Sequence, residues 1–120
     1  MRERVHFAGR IATERLADLY AAADVFVMPT RVGDDGSVEG FGIVFLEAGS
    51  QGVPVVGPRL GGSEDAIVDG ETGFLVDADD PADIARRLLE LLRDPALRRT
   101  MGAAGKRRAF EPTDWSPALA

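Results

Sequence analysis

The sequence predicts an α/β domain: a parallel sheet with helices packed against it. Two observations carry that reading. Short runs of β-branched or aromatic residues alternate with stretches whose apolar residues recur at helical spacing, as in strands joined by crossover helices. The 120 residues, 45% of them apolar, suffice for one hydrophobic core and for one domain at most.

The elements follow in order. Val5–Ala8 reads as a short strand. Thr13 is placed to cap a helix running through Ala23, with Leu16, Leu19 and Tyr20 on one face. Val25–Met28 reads as a buried strand ended by Pro29, followed by a polar loop over 30–38. A helix is expected over about 42–51, stopped by Gly52. Val53–Val56 is the next strand, and Ser63–Val68 a short helix capped by Ser63. Gly73–Val76 is the last strand.

Asp80-Pro81 places a capping carboxylate before a proline at the first helical position. Ile84, Leu88, Leu91 and Leu92 then form an apolar stripe to about Arg93. Asp94-Pro95 repeats the signal, with Leu97, Met101 and Ala104 as the following stripe. Residues 1–110 make up the domain, and 111–120 an irregular tail without pattern.

Composition removes several function classes. With no cysteine, disulfides and thiolate chemistry are excluded. No stretch approaches the ~20 apolar residues of a membrane span, and no signal-peptide core is visible, so the chain reads as cytoplasmic. A net charge of -6 argues against nucleic acid. Eight of the fourteen basic residues fall in 86–108, but Glu90 and Asp94 interrupt them, which favours a solvated face over a lipid-binding one. Asp34-Asp35 lacks the further oxygen ligands a cation needs, so no metal site is expected.

The run Glu39-Gly40-Phe41-Gly42-Ile43-Val44-Phe45-Leu46-Glu47 carries the chemistry. Glycines let a backbone turn sharply and approach a ligand closely. A helix beginning there offers free N–H groups and its positive dipole end to an anion. Ionised carboxylates on either side accept hydrogen bonds from hydroxyls. An anion flanked by polyols describes a sugar nucleotide.

The two glutamates, eight positions apart, resemble the E-x7-E signature of family 4 retaining glycosyltransferases, which have the GT-B fold. Further blocks appear in that family's order: Val5-His6-Phe7-Ala8-Gly9-Arg10, Leu19 to Pro29, Gly52 to Gly57, Gly61-Gly62-Ser63-Glu64 and Gly70 to Val76. The resemblance covers roughly residues 3 to 110. It implies a three-layer Rossmann-like donor-binding domain, incomplete relative to the full GT-B C-terminal domain.

It also implies roles. Glu39 faces the donor sugar as the catalytic residue, although a helix N-terminal acid interacting only with the dipole would look the same. Glu47 binds the ribose hydroxyls; its apolar neighbours Leu46 and Ala48 argue against a merely solvated glutamate. Gly40, Phe41, Gly42 and Ile43 act through backbone N–H groups, with Val44 adding one more. Phe41 serves equally as a core residue. Gly9, Arg10 and Ile11 border the nucleobase at the end of the first strand, where a structural Gly-Arg is also commonplace. Arg31 meets phosphate, braces Glu39 or faces solvent, and Ser37 contacts either. The Gly61–Glu64 turn borders the site or is a plain capped turn. The expected donor is a GDP-sugar or UDP-sugar, with no other cofactor and no metal.

The family's basic pair and its acceptor domain have no counterpart here, and His6, in a predicted strand, does not match the family's histidine. In a doubly wound sheet of order 3-2-1-4-5-6 the strands without counterpart are the central two. Strand 5–8 would lose its neighbours and strand 25–28 would keep an open apolar edge, inviting strand swapping between copies or completion by a partner chain. The implied function is donor binding in a retaining, metal-independent transferase of a mannose- or glucose-type hexose, membrane-peripheral contact of the full enzyme remaining open. The alternative is a non-catalytic sugar-nucleotide-binding remnant completed by a partner. A receiver-like α/β domain is excluded, since Gly9-Arg10 stands where its acidic pair should be.

Overall fold

The computed structural model describes residues 4–29 and 42–110. The elements are α1 (Thr13–Ala22), β1 (Phe26–Val27), α2 (Gly42–Ser50), β2 (Val55–Pro58), α3 (Gly62–Ala66), β3 (Gly73–Val76), α4 (Pro81–Arg93) and α5 (Pro95–Phe110). The strands form one parallel sheet in the order β1-β2-β3, with Phe26 opposite Val55 and Val55 opposite Gly73. Helices cover both faces, as expected of a parallel sheet.

Side-chain alternation along the strands builds two cores. Val55 and Leu75 point to one side, where Phe45, Ala48, Ala66 and Ile67 meet them. Val56, Phe74 and Val76 point to the other, against Leu91 and Met101. The result is three layers, with α2 and α3 on one face of the sheet and α4 on the other, while α5 gives Met101 to the second core and also packs against α2.

Several expectations are corrected. Residues 5–8 form no strand; Val5 is 53% exposed and Phe7 91%. A strand exists only through a ladder, and no described residue offers this segment one. β1 is shorter and wetter than a buried strand because it lies at an edge of the sheet that the described residues form, with Val27 39% exposed. Thr13 is the first residue of α1 rather than its cap; Ala12 holds the cap position without a side-chain bond. Ser63 likewise lies inside α3, buried, with Gly61 before the helix at φ 54°.

β2 begins two residues later than the apolar run. Gly52, at φ 78°, turns the chain out of α2, and Val53 N–H still donates to the Ala48 carbonyl at 3.3 Å. Gly73 opens β3 because a Cβ there would run into the Val55 backbone. Leu92, expected on the buried stripe of α4, is exposed, while Leu91 is fully buried.

The Asp-Pro signals hold. Asp80 Oδ1 accepts from Ala82 N–H at 3.0 Å with Pro81 opening α4. Asp94 Oδ1 accepts from Leu97 N–H at 3.0 Å at the start of α5. The α4–α5 corner is locked by Arg98, whose guanidinium donates to the Leu91 and Leu92 carbonyls at 2.7 and 2.9 Å. These are two of the carbonyls a helix end leaves without intrahelical partners.

Candidate functional site

The site is built where α2 starts. β1 leads through residues 30–41 into α2, so this helix's N-terminus belongs to the carboxyl edge of the sheet, the edge where open α/β sheets bind ligands. α3 follows β2 in the same sense. The two helix starts touch: a Cβ on Gly42 would stand 2.8 Å from the Gly62 carbonyl oxygen. Glycine at 42 therefore lets α2 and the Gly61–Glu64 turn approach to backbone contact.

The register of α2 is set by what it buries. Phe45, Leu46, Ala48 and Gly49 face inward, which leaves Ile43 (52% exposed) and Glu47 toward solvent and Val44 half-buried. Phe45 is held edge-on by Phe26 at 5.7 Å, and Phe26 by Tyr20 at 5.4 Å. This aromatic chain ties α1 and β1 to α2.

It also brings the Tyr20 hydroxyl to 3.5 Å from Glu47 Oε2, a long approach for an O–H donor. Partial burial, followed by the Glu47 charge and the contact with its carboxylate, raises the Tyr20 phenol above its ordinary value. Ser50 Oγ donates to the Glu47 carbonyl oxygen at 2.6 Å. Glu47 thus lies outside the apolar face of α2, with Tyr20 as its side-chain neighbour. The sequence shows Tyr20 only as part of a helical stripe, with no signal of its meeting residue 47.

Of the remaining sequence candidates, Gly42, Ile43, Val44 and Glu47 are gathered on α2. Glu39, Gly40, Phe41 and Arg31, with Ser37 and Asp34-Asp35, lie outside the described residues. Gly9, Arg10 and Ile11 precede α1 in an irregular segment rather than ending a strand. Gly9 there has φ 70°, and both it and Arg10 are exposed.

A basic residue at the carboxyl edge escaped the sequence reading. Arg59 follows β2 and pairs with Asp69 at 3.2 Å, whose other oxygen accepts from Leu75 N–H at 3.0 Å. At the amino edge, a cavity of about 250 Å³ is lined by Ala23, Asp24, Gly52, Pro54, Pro95, Arg98 and Arg99. Among the described residues no cluster of three or more His, Cys, Asp or Glu side chains could hold a metal, and no helix is long and apolar enough to cross a membrane.

Known proteins place this architecture. The profile of the glycosyl transferases group 1 matches residues 1–108. The chain belongs to that family.

Among group 1 relatives, a GDP-mannose-dependent alpha-(1-6)-phosphatidylinositol monomannoside mannosyltransferase of Mycolicibacterium smegmatis is 44% identical over 114 residues, covering 94% of this chain and 30% of that protein. The sucrose-phosphate synthase of Thermosynechococcus elongatus superposes with a TM-score of 0.82 at 36% identity, over 96% of this chain and 27% of that one. Anabaena HepE in complex with UDP and glucose superposes with a TM-score of 0.67 at 26% identity, over 76% of this chain and 23% of that one. The family assignment and the GT-B-type parallel sheet follow from these matches. The chain spans less than a third of each of these relatives.

Proposed function

We propose that this chain forms the nucleotide-sugar donor site of a retaining, metal-independent hexosyltransferase. The observation that carries the reading is the start of α2: a helix N-terminus at the carboxyl edge of the sheet, pressed against the Gly61–Glu64 turn, with Glu47 exposed in its second turn. Free N–H groups there suit a diphosphate. Glu47 is placed to accept hydrogen bonds from ribose hydroxyls, and Glu39, earlier in the same run, from those of the sugar. The protein's part in the chemistry is to orient the donor and to stabilise the negative charge developing on the departing diphosphate.

The names of the relatives support a nucleotide-diphospho-sugar. One uses GDP-mannose and another is seen with UDP and glucose, so both bases remain in play. Residues that complete the acceptor side belong to another domain or a partner chain. A second reading, a sugar-nucleotide-binding module without catalysis of its own, is favoured by the Gly9-Arg10 segment, which is exposed and irregular rather than the end of a strand.

Calorimetric titration of the chain with GDP, UDP and ADP tests the site. Saturable binding of one nucleotide is expected, weakened by about 1.5–3 kcal/mol in Glu47→Ala as charged hydrogen bonds to ribose are lost. Glu39→Gln should leave nucleotide affinity nearly unchanged, because its partner is the sugar. A chain that melts cooperatively yet binds none of the three would sink the proposal. Transfer activity restored by an added acceptor-domain chain would decide for the enzyme over the module.

A further inference from the structure

We propose that Tyr20 is a positioning residue for nucleotide binding: its hydroxyl holds the Glu47 carboxylate ready for the ribose hydroxyls. The inference rests on the donor-site reading and adds the group that orders its ribose ligand. Tyr20 lies on α1 and Glu47 on α2, and the phenol oxygen stands 3.5 Å from Glu47 Oε2. That is about 0.7 Å beyond a good O–H···O bond, so a small rotation of either side chain closes it.

The two ends of this contact differ in freedom. Tyr20 is half-buried, and its ring packs edge-on against Phe26 with centroids 5.4 Å apart. Phe26 packs in the same way on Phe45, which is 2% exposed in the core. Three rings in series therefore anchor the phenol. Glu47 is exposed, and an exposed glutamate samples many rotamers. A ribose that needs the carboxylate in one place must restrict them, and a carboxylate already restricted binds it more tightly.

The chemistry of the pair fits that role. A carboxylate only accepts hydrogen bonds, whereas a phenol donates one. Tyr20 faces Oε2, which leaves Oε1 to accept from the ribose. Burial first, and the Glu47 charge second, raise the phenol above its ordinary value, so it keeps its proton at neutral pH and remains a donor.

The test is a calorimetric titration of the chain with GDP and UDP, each against its 2′,3′-dideoxy analogue, which lacks the hydroxyls in question. Tyr20→Phe keeps the ring packing and deletes only the hydroxyl. It should weaken binding of the ribonucleotide about three- to tenfold and leave the dideoxy analogue unchanged. A purely structural tyrosine would weaken both alike. An unchanged ribose preference in Tyr20→Phe, with Glu47→Ala still abolishing that preference, overturns the positioning role and leaves the donor site standing. A ribose preference untouched by Glu47→Ala as well removes the donor-site reading and this inference with it. The chain has one tyrosine, so the ultraviolet phenolate titration reports Tyr20 alone. Glu47→Gln should lower its midpoint, because a charge that opposes the phenolate is gone. Should Tyr20→Phe fail to melt cooperatively, this titration decides, and a midpoint unmoved by Glu47→Gln overturns the proposal.

Discussion

Asp83 ties the turn before α4 to the first turn of that helix. Its carboxylate accepts from Asp77 N–H at 2.9 Å and from Arg86 at 2.7 Å. The backbone donor first, and the guanidinium second, hold it below its ordinary value of 3.8. A carboxylate held low contributes stability that is present above 3.8 and lost as pH falls through its folded value. Asp83→Asn should accordingly flatten the fall in melting temperature below pH 3.8 relative to the wild type. Parallel curves over that window would refute the role. Glu47 teaches a different lesson at this scale. Buried neighbours at 46 and 48 suggest a buried glutamate, but a helix turns about 100° per residue. Leu46 and Ala48 can both point inward while Glu47 stays exposed, as it does. Its meeting with Tyr20, 27 positions away, is a product of the fold and has no local signature.

At the scale of elements, α2 and α5 pack through glycine. A Cβ on Gly49 would stand 3.3 Å from the Gly105 carbonyl oxygen, and one on Gly102 would run into that of Gly52. Glycine inside a helix costs about 1 kcal/mol against alanine, so two of them in α5 need a compensating contact, and this close approach is it. Gly102→Ala is therefore expected to lose about 1–3 kcal/mol in a denaturant titration despite its better helix propensity. A gain in stability would show that the helices have room. Apolar periodicity marks Leu97 and Met101 but is blind to how near two backbones come, which is why Gly102 and Gly105 did not stand out. Caps are the opposite case. Asp80-Pro81 and Asp94-Pro95 were legible because a cap is satisfied within three residues. Thr13 and Ser63 show the limit of that rule, for a good capping residue also fits one or two positions past the cap.

Across the whole molecule, the two cores share β2 and β3, each strand alternating its side chains between them. Leu91, fully buried on the α4 side, should then report on both faces. Leu91→Ala is expected to cost about 2–5 kcal/mol, with far-ultraviolet ellipticity and the near-ultraviolet signal of Tyr20 on the opposite face melting together. Separate transitions would mean that the faces unfold independently. The sequence by itself determined the kind and order of most elements, the α4 and α5 starts, and the ordered blocks that place the chain in the glycosyl transferases group 1. Those properties are written in local spacing and in residues that act on near neighbours. The tertiary structure decided that residues 5–8 make no strand, that β1 has only two residues, and that Gly42 meets Gly62. It also decided that Leu92 faces out and that Tyr20 stands beside Glu47. A ladder, a helix crossing or a side-chain pair needs a partner brought from far along the chain, and that partner is selected by packing.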